Sequence, residues 1–417
     1  MFRIFNWCIR LCFFYWLIGT NAYAQGGVSF PEPLQVRNGL PGFFKKLSNS
    51  QPLTIAYLGG SITEAAGYRV ETEKYFKNTF PGSTIKTVNA GVGGTGAALG
   101  VFRLQDEVLK YRPDLVFVEF AVNDAETDSL LLCNAMEGIV RQIKKSDPKT
   151  DICFLYSVYE PMLKDLQAGK QVRSVRLMER LADHYKLPSI NLSYDVIRKV
   201  NSGDLIFHGS PDVNYGAKTV FSTDGTHPGV EGHAIYTHTI TKAFKQLIGM
   251  GKRGRIPTPL YLTNFDKTLI LQPEVAAKTP GWIDAKSEKE LQPYLKVYPE
   301  LIYSADTRDS ITIKFKGTYI GIGDILGPSA AGAVEIRVDD NEPIRRSRFD
   351  SYCWFYRRSF YLIGPLPNSA HTVSIKKADL DIDKAEIIGG HSSVFPNGSY
   401  QPSNAYIGNI MIIGKKN

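Results

Sequence analysis

The chain has 417 residues, of which 43% are hydrophobic and 22% charged, with a formal net charge of +8. That length exceeds a single typical domain, so two domains are expected. The mild basic excess would suit an acidic polysaccharide or nucleic acid, but there is no lysine-rich block or nucleic-acid module, so no nucleic-acid partner is expected and the charge reads as ordinary surface charge.

Residues 1–24 read as a signal peptide. Arg3 and Arg10 give a positive start, Leu11 to Ile18 an apolar core, and Ala22-Tyr23-Ala24 a cleavage site before Gln25. The apolar core is shorter than the roughly 20 residues a bilayer span needs. An exported protein is therefore expected, periplasmic or extracellular, with no stable membrane insertion after cleavage. Losing Arg3 and Arg10 takes the charge from +8 to +6, a difference of 2. Cys8 and Cys12 leave with the leader, and Cys133, Cys153 and Cys353 remain, so at most one disulfide can form. Cys153 lies inside an apolar run and reads as a buried apolar residue.

Residues 25–49 form a lead-in. Across 50–248, strand-like runs alternate with helical patterns. The strands are Leu53–Leu58, Thr84–Val88, Leu115–Phe120, Ile152–Ser157 and Ser189–Leu192. The helices are Glu64 to Phe80, Gly100 to Tyr111, Asp128 to Lys145, Gln171 to Tyr185 and Gly229 to Leu247. Near-continuous apolar strands separated by helices predict a parallel sheet covered on both faces, a doubly wound α/β/α sandwich. Residues 249–258 are basic and Gly-rich and read as a linker. From 259 to 417 the pattern changes to short alternating runs such as Ser310–Phe315, Ala333–Val338, His371–Ile375 and Ala405–Ile413, which predict an all-β sandwich or jelly roll.

Three chemistry-bearing segments sit at or after strand ends of the first domain. Ser61 follows Gly59-Gly60 at the end of the first strand, Gly91-Val92-Gly93-Gly94 follows the second, and Asn123-Asp124 follows the third. In an open parallel sheet the carboxyl ends of the strands carry the site, so these segments are expected to converge. Asp224-Gly225-Thr226-His227 then supplies a carboxylate and an imidazole that one loop or helical turn can present together. A serine hydroxyl needs an adjacent base, and the base needs an orienting group. Each residue has a plainer reading: Ser61 as a helix cap, Asn123-Asp124 as a turn, Asp224 as a loop carboxylate, His227 as a structural histidine. Those readings would all have to hold together.

The four segments in this order resemble the SGNH, or GDSL-like, hydrolase superfamily over roughly residues 50 to 248. The resemblance implies Ser61 as nucleophile, His227 as base and Asp224 as its orienting group. It implies an oxyanion hole from the Ser61 and Gly94 amides and the Asn123 side chain. Two departures stand out. Gly60 occupies the place of the aspartate in the usual Gly-Asp-Ser, and Ala121 replaces the third block's glycine, a change expected to narrow the pocket.

No metal or other cofactor is expected. His208, Asp212, His233 and His238 match no metal spacing, and Gly91–Gly96 lacks the Lys-Ser/Thr end of a phosphate loop. The second domain carries an aromatic and arginine cluster, Arg345 to Arg358, in which Tyr352, Trp354 and Arg357 are candidate substrate-binding residues. The alternation of Tyr352, Trp354 and Tyr356 also reads as one face of a strand. The expected function is a secreted serine esterase that deacetylates a polysaccharide or glycan. A lipase, lysophospholipase or thioesterase, and a non-catalytic glycan-binding protein, are the alternatives.

Overall fold

A computed structural model describes residues 32–394 and 403–416. The predicted leader at 1–24 lies outside the described residues. The first sheet has six strands: β1 (Leu34–Gln35), β2 (Leu53–Gly59), β3 (Ile85–Gly91), β4 (Leu115–Glu119), β5 (Asp151–Tyr156) and β6 (Ser189–Asn191). Their order is β1-β6-β5-β4-β2-β3, all parallel except β1, which joins β6 antiparallel at the edge. Every residue of β4 and β5 is buried, as a sheet covered on both faces requires.

The chain runs from β2 to β3 on one side, then crosses to β4 on the other. This reversal is the topological switch point of the sheet, and crevices for ligands open there. The loops leaving β2, β3 and β4 are therefore neighbours, and they carry Ser61, Gly94 and Asn123.

Among the described residues nine helices accompany this sheet: α1 (Pro41–Ser48), α2 (Ser61–Glu64), α3 (Tyr68–Thr79), α4 (Ala97–Glu107), α5 (Ser129–Ser146), α6 (Leu163–Gln167), α7 (Arg173–Tyr185), α8 (Ser193–Asn201) and α9 (Val230–Leu247). Helices α1, α3 and α9 meet through Phe43, Phe76 and Phe244, the last two with ring centroids 4.9 Å apart. Each such buried ring contributes about 1.5–3 kcal/mol of burial free energy. On α7 the buried residues Val175, Met178, Leu181, Ala182 and Tyr185 recur at helical spacing, which explains why that helix was readable.

Two predicted boundaries move for local reasons. The expected helix from Glu64 breaks at Ala65–Gly67 before α3 begins, because the chain turns there against the His233 ring; a Cβ on Gly67 would lie 2.2 Å from that ring. Helix α4 starts at Ala97, earlier than Gly100, because the buried Asp124 carboxylate accepts from the Ala97 N–H at 2.9 Å and caps it.

A short pair, β7 (Leu205–His208) and β8 (Thr219–Ser222), precedes α9 and closes the first domain's loop region. Residues 260–266 then run along α5. Glu137 accepts from the Leu260 and Tyr261 amides, and Phe265 is fully buried. The second domain's first strand is β9 (Leu269–Leu271), followed by β10 (Ala277–Lys278), β11 (Ile283–Asp284), β12 (Ile302–Ser304), β13 (Ser310–Leu326), β14 (Ala333–Val338), β15 (Ile344–Ser347), β16 (Arg357–Ile363), β17 (Ser369–Ala378), β18 (Ala405–Ile407) and β19 (Asn409–Lys416).

An eight-stranded antiparallel sheet forms around the long β13, and a three-stranded one has the order β11-β12-β18. Ile302 and Ile407 of the small sheet share a buried cluster with Ile311, Ile313 and Phe315 of the large one. The second domain is therefore all-β and antiparallel. Tyr352, Trp354 and Tyr356 lie in a turn between β15 and β16, not on a strand face, so the alternation there has no structural meaning. Cys133, Cys153 and Cys353 are free and buried. Among the described residues no helix is long and apolar enough to cross a membrane.

Candidate active site

β2 ends at Gly59, and Ser61 opens α2 directly after it. Its hydroxyl lies 2.8 Å from Nε2 of His227, and Nδ1 of His227 lies 2.6 Å from Oδ2 of Asp224. A carboxylate only accepts, so Nδ1 carries the proton and Nε2 is left to accept from the serine hydroxyl. The other Asp224 oxygen accepts from the His227 and Thr226 amides at 2.7 and 2.8 Å and from the Ser222 hydroxyl at 2.9 Å. Partial burial pushes the Asp224 carboxyl up. The bonds from His227, Thr226 and Ser222 outweigh it and hold the group well below the usual carboxylate range. The pair stays half-exposed, with 44% and 53% of the His227 and Asp224 side chains open to solvent. In sequence Ser61 lies 166 residues before His227, whereas Asp224 and His227 share one loop; the structure brings the three into one hydrogen-bonded line.

Three N–H donors face no protein acceptor among the described residues: the Ser61 amide, the Gly94 amide and the Asn123 side chain. Gly94 has φ +69°, a left-handed conformation that glycine adopts without strain. Asn123 lies against the end of β2 just before Ser61, which explains Gly60. A Cβ there would come within 2.0 Å of the Asn123 Oδ1 and 2.9 Å of its Nδ2. Gly60→Asp, which restores the usual Gly-Asp-Ser, is therefore expected to displace Asn123 and to lower kcat on p-nitrophenyl acetate by about 10- to 100-fold. An unchanged or higher kcat would contradict this packing argument. Ala121 does not narrow the pocket. It is fully buried in the core, and its carbonyl accepts from Ser174.

The loop that carries Asp224 and His227 is braced by residues to which sequence reading gave no role. The Glu160 amide donates to the Gly225 carbonyl at 2.8 Å. His208 Nδ1 lies 2.8 Å from Glu160 Oε2, and its Nε2 lies 3.2 Å from the Thr223 carbonyl. The sequence weighed His208 only as part of a metal cluster, and no local pattern signals a loop brace. Asp124 is likewise structural. Burial, partly offset by the Ala97 amide, Thr127 and Arg173, pushes its carboxyl up to about 6.

His233 sits beside His227 and accepts from the Tyr68 amide through Nδ1 at 3.1 Å. Burial first, and then the His227 charge, push it down to about 4 from an ordinary 6.5. The unfolded chain therefore binds more protons between those values, and folding stability falls as pH drops from 6.5 towards 4. Thermal unfolding midpoints across that window should fall more steeply for the parent than for His233→Gln, whose amide oxygen still accepts from Tyr68. Equal slopes would contradict the assignment.

Residues 57–235 match the model of the GDSL-like Lipase/Acylhydrolase family. The α/β domain belongs to the GDSL-like lipase/acylhydrolase family. No curated protein sequence matches the chain. Among solved structures, the fold of this chain is similar to a two-domain esterase active on acetylated mannans, with a TM-score of 0.72, 21% identity, and 92% of this chain and 98% of that one covered. The same esterase co-crystallised with mannopentaose gives a TM-score of 0.71 at 21% identity, covering 92% of this chain and 97% of that one. The likeness spans both domains, so the pairing of a GDSL-like domain with an antiparallel β domain is a shared architecture.

The β domain contacts the GDSL-like domain through Arg358, which donates to Glu107 at 2.7 Å. Glu107 also accepts from the buried Arg103, whose guanidinium donates to the Gly59 and Ala90 carbonyls at the ends of β2 and β3. Of the candidate substrate-binding residues, Arg357 pairs with Asp350 and lies over the Tyr352 ring, and Trp354 stacks on His391 at 4.4 Å. These contacts stay within the β domain. Tyr352 is 57% exposed.

Proposed function

We propose that this protein is an exported serine esterase that removes acetyl groups from a polysaccharide or glycan. The observation that carries the reading is the line Ser61–His227–Asp224 with three unpaired N–H donors beside it. In this reading Ser61 attacks the ester carbonyl carbon while His227 takes its proton, and Asp224 holds the imidazole tautomer and stabilises the imidazolium. The Ser61 and Gly94 amides and the Asn123 side chain receive the charge on the tetrahedral oxygen. His227 returns the proton to the departing sugar oxygen. Water, activated by the same imidazole, then releases acetate and restores the serine.

A polysaccharide substrate is supported by a cleft between the domains, about 780 Å³ in volume, whose lining includes Glu64, Asp106, Lys110, Tyr111, Tyr294 and Lys296; Ser61 and His227 do not line it, and it reaches the site through Glu64, Gly91 and Val92 beside the Ser61 helix. Polar groups interleaved with tyrosines suit hydroxyl-rich chains. The two-domain relative of the same fold, itself active on acetylated mannans, supports the same class. Exposed Tyr352, with Trp354 and Arg357, is proposed as a secondary glycan contact.

One observation favours a second reading. An open, largely apolar groove of about 870 Å³, lined in part by Ala65, Ala66, Pro228, Val230 and Ala234, lies beside the His227 loop and would take a longer acyl chain. Rates on p-nitrophenyl acetate, butyrate and octanoate separate the two. The glycan reading expects activity that falls with chain length. A preference for octanoate would move the assignment to lipids.

A further inference from the structure

Glu64 closes the short helix that Ser61 opens, yet the reaction as written gives it no role. Its Oε2 accepts from the Gly93 amide at 2.9 Å. Its carbonyl accepts from the Asn89 side chain at 3.1 Å, and the Oδ1 of that same asparagine accepts from the Gly91 amide at 3.0 Å. The end of β3 and the loop after it are thus both tied to this one residue. The approach is close: a Cβ on Gly91 would lie 2.3 Å from the Glu64 nitrogen, and one on Gly93 would lie 2.9 Å from Glu64 Oε2 and 3.7 Å from the Ser61 Cβ.

The consequence concerns the next residue. With the Gly93 amide engaged by Glu64, the chain turns left-handed at Gly94, and the Thr95 hydroxyl closes the turn on the Val92 carbonyl at 2.8 Å. The Gly94 amide is left without a protein acceptor among the described residues. We infer that Glu64 is a positioning residue that fixes the Gly94 donor relative to Ser61 by binding the Gly93 amide. This inference rests on the proposed esterase reading and adds to it the part that holds the oxyanion donor in place. Because Glu64 and Ser61 occupy one turn of one helix, nucleophile and donor share a single rigid support.

The experiment measures kcat and KM on p-nitrophenyl acetate for the full chain, Glu64→Ala, Glu64→Gln and Ser61→Ala, with thermal midpoints for each. A donor displaced but not removed is expected to cost less than the roughly 100- to 1,000-fold of a lost donor. Glu64→Ala should therefore lower kcat by about 10- to 100-fold with KM nearly unchanged. Glu64→Gln keeps an acceptor for the Gly93 amide and should stay within about fivefold of the parent, since a neutral acceptor bonds more weakly than a carboxylate. Both variants should unfold near the parent's midpoint. Parental kcat in Glu64→Ala, or Glu64→Gln as impaired as Glu64→Ala, would overturn the inference while leaving the esterase reading intact. A rise in KM alone would also overturn it and would make Glu64 a wall of the substrate cleft. Ser61→Ala as active as the parent, or an inactive parent, would overturn the esterase reading and this inference with it.

Discussion

Ser61→Ala is expected to lower kcat on an acetyl ester by about 10,000- to 1,000,000-fold, to the residual level that oxyanion donors and binding supply alone. The substitution removes one oxygen, and that oxygen's single protein partner among the described residues is His227. Ser61 is the first residue of α2, where Gly60 and the backbone set the turn, so the helix does not depend on its side chain. The thermal midpoint should therefore match the parent. Purified parent and variant assayed side by side on p-nitrophenyl acetate make the check. A loss of activity accompanied by a large drop in midpoint would point to a structural serine instead.

His227→Ala is the second large effect, of similar size, and the double variant with Ser61→Ala should be no worse than either single one. Residues that act as one unit lose their function together, so their losses do not add. A structural histidine would behave otherwise. His227 is half-exposed, and its ring bonds are those to Ser61 and Asp224, so little packing is lost on truncation. A double variant about as impaired as the product of two independent losses would contradict the shared mechanism.

Much of this was legible before the structure. The parallel sheet follows from β2, β4 and β5 reading as continuous apolar runs, and the helices α5, α7 and α9 follow from their spacing. Ser61, Gly94 and Asn123 could be placed together because each follows a strand of one sheet. The weaker elements were not readable. Helix α1 begins Pro-Gly, a turn signal, and exists because Phe43, Phe44 and Leu47 are buried against the first domain's core. The strand pair β7 and β8 is short and carries exposed residues, so it lacks a period.

Close backbone approach was equally invisible. Gly60 read as a missing aspartate, whereas the structure gives it a reason in the Asn123 side chain packed over it. The braces Glu64, Glu160 and His208 act through bonds to main-chain groups, and such bonds leave no residue pattern. The tyrosine and tryptophan alternation near 352–356 mimicked a strand, and the turn chemistry of Asp350, which accepts from the Tyr352 amide at 2.9 Å, prevailed.

The most direct test of the account is acetate release from an acetylated mannan by the full chain and by Ser61→Ala at equal concentration. The account predicts release by the parent and none above background by the variant. Release by both alike, or a parent that hydrolyses p-nitrophenyl octanoate yet frees no acetate from the polysaccharide, would contradict it.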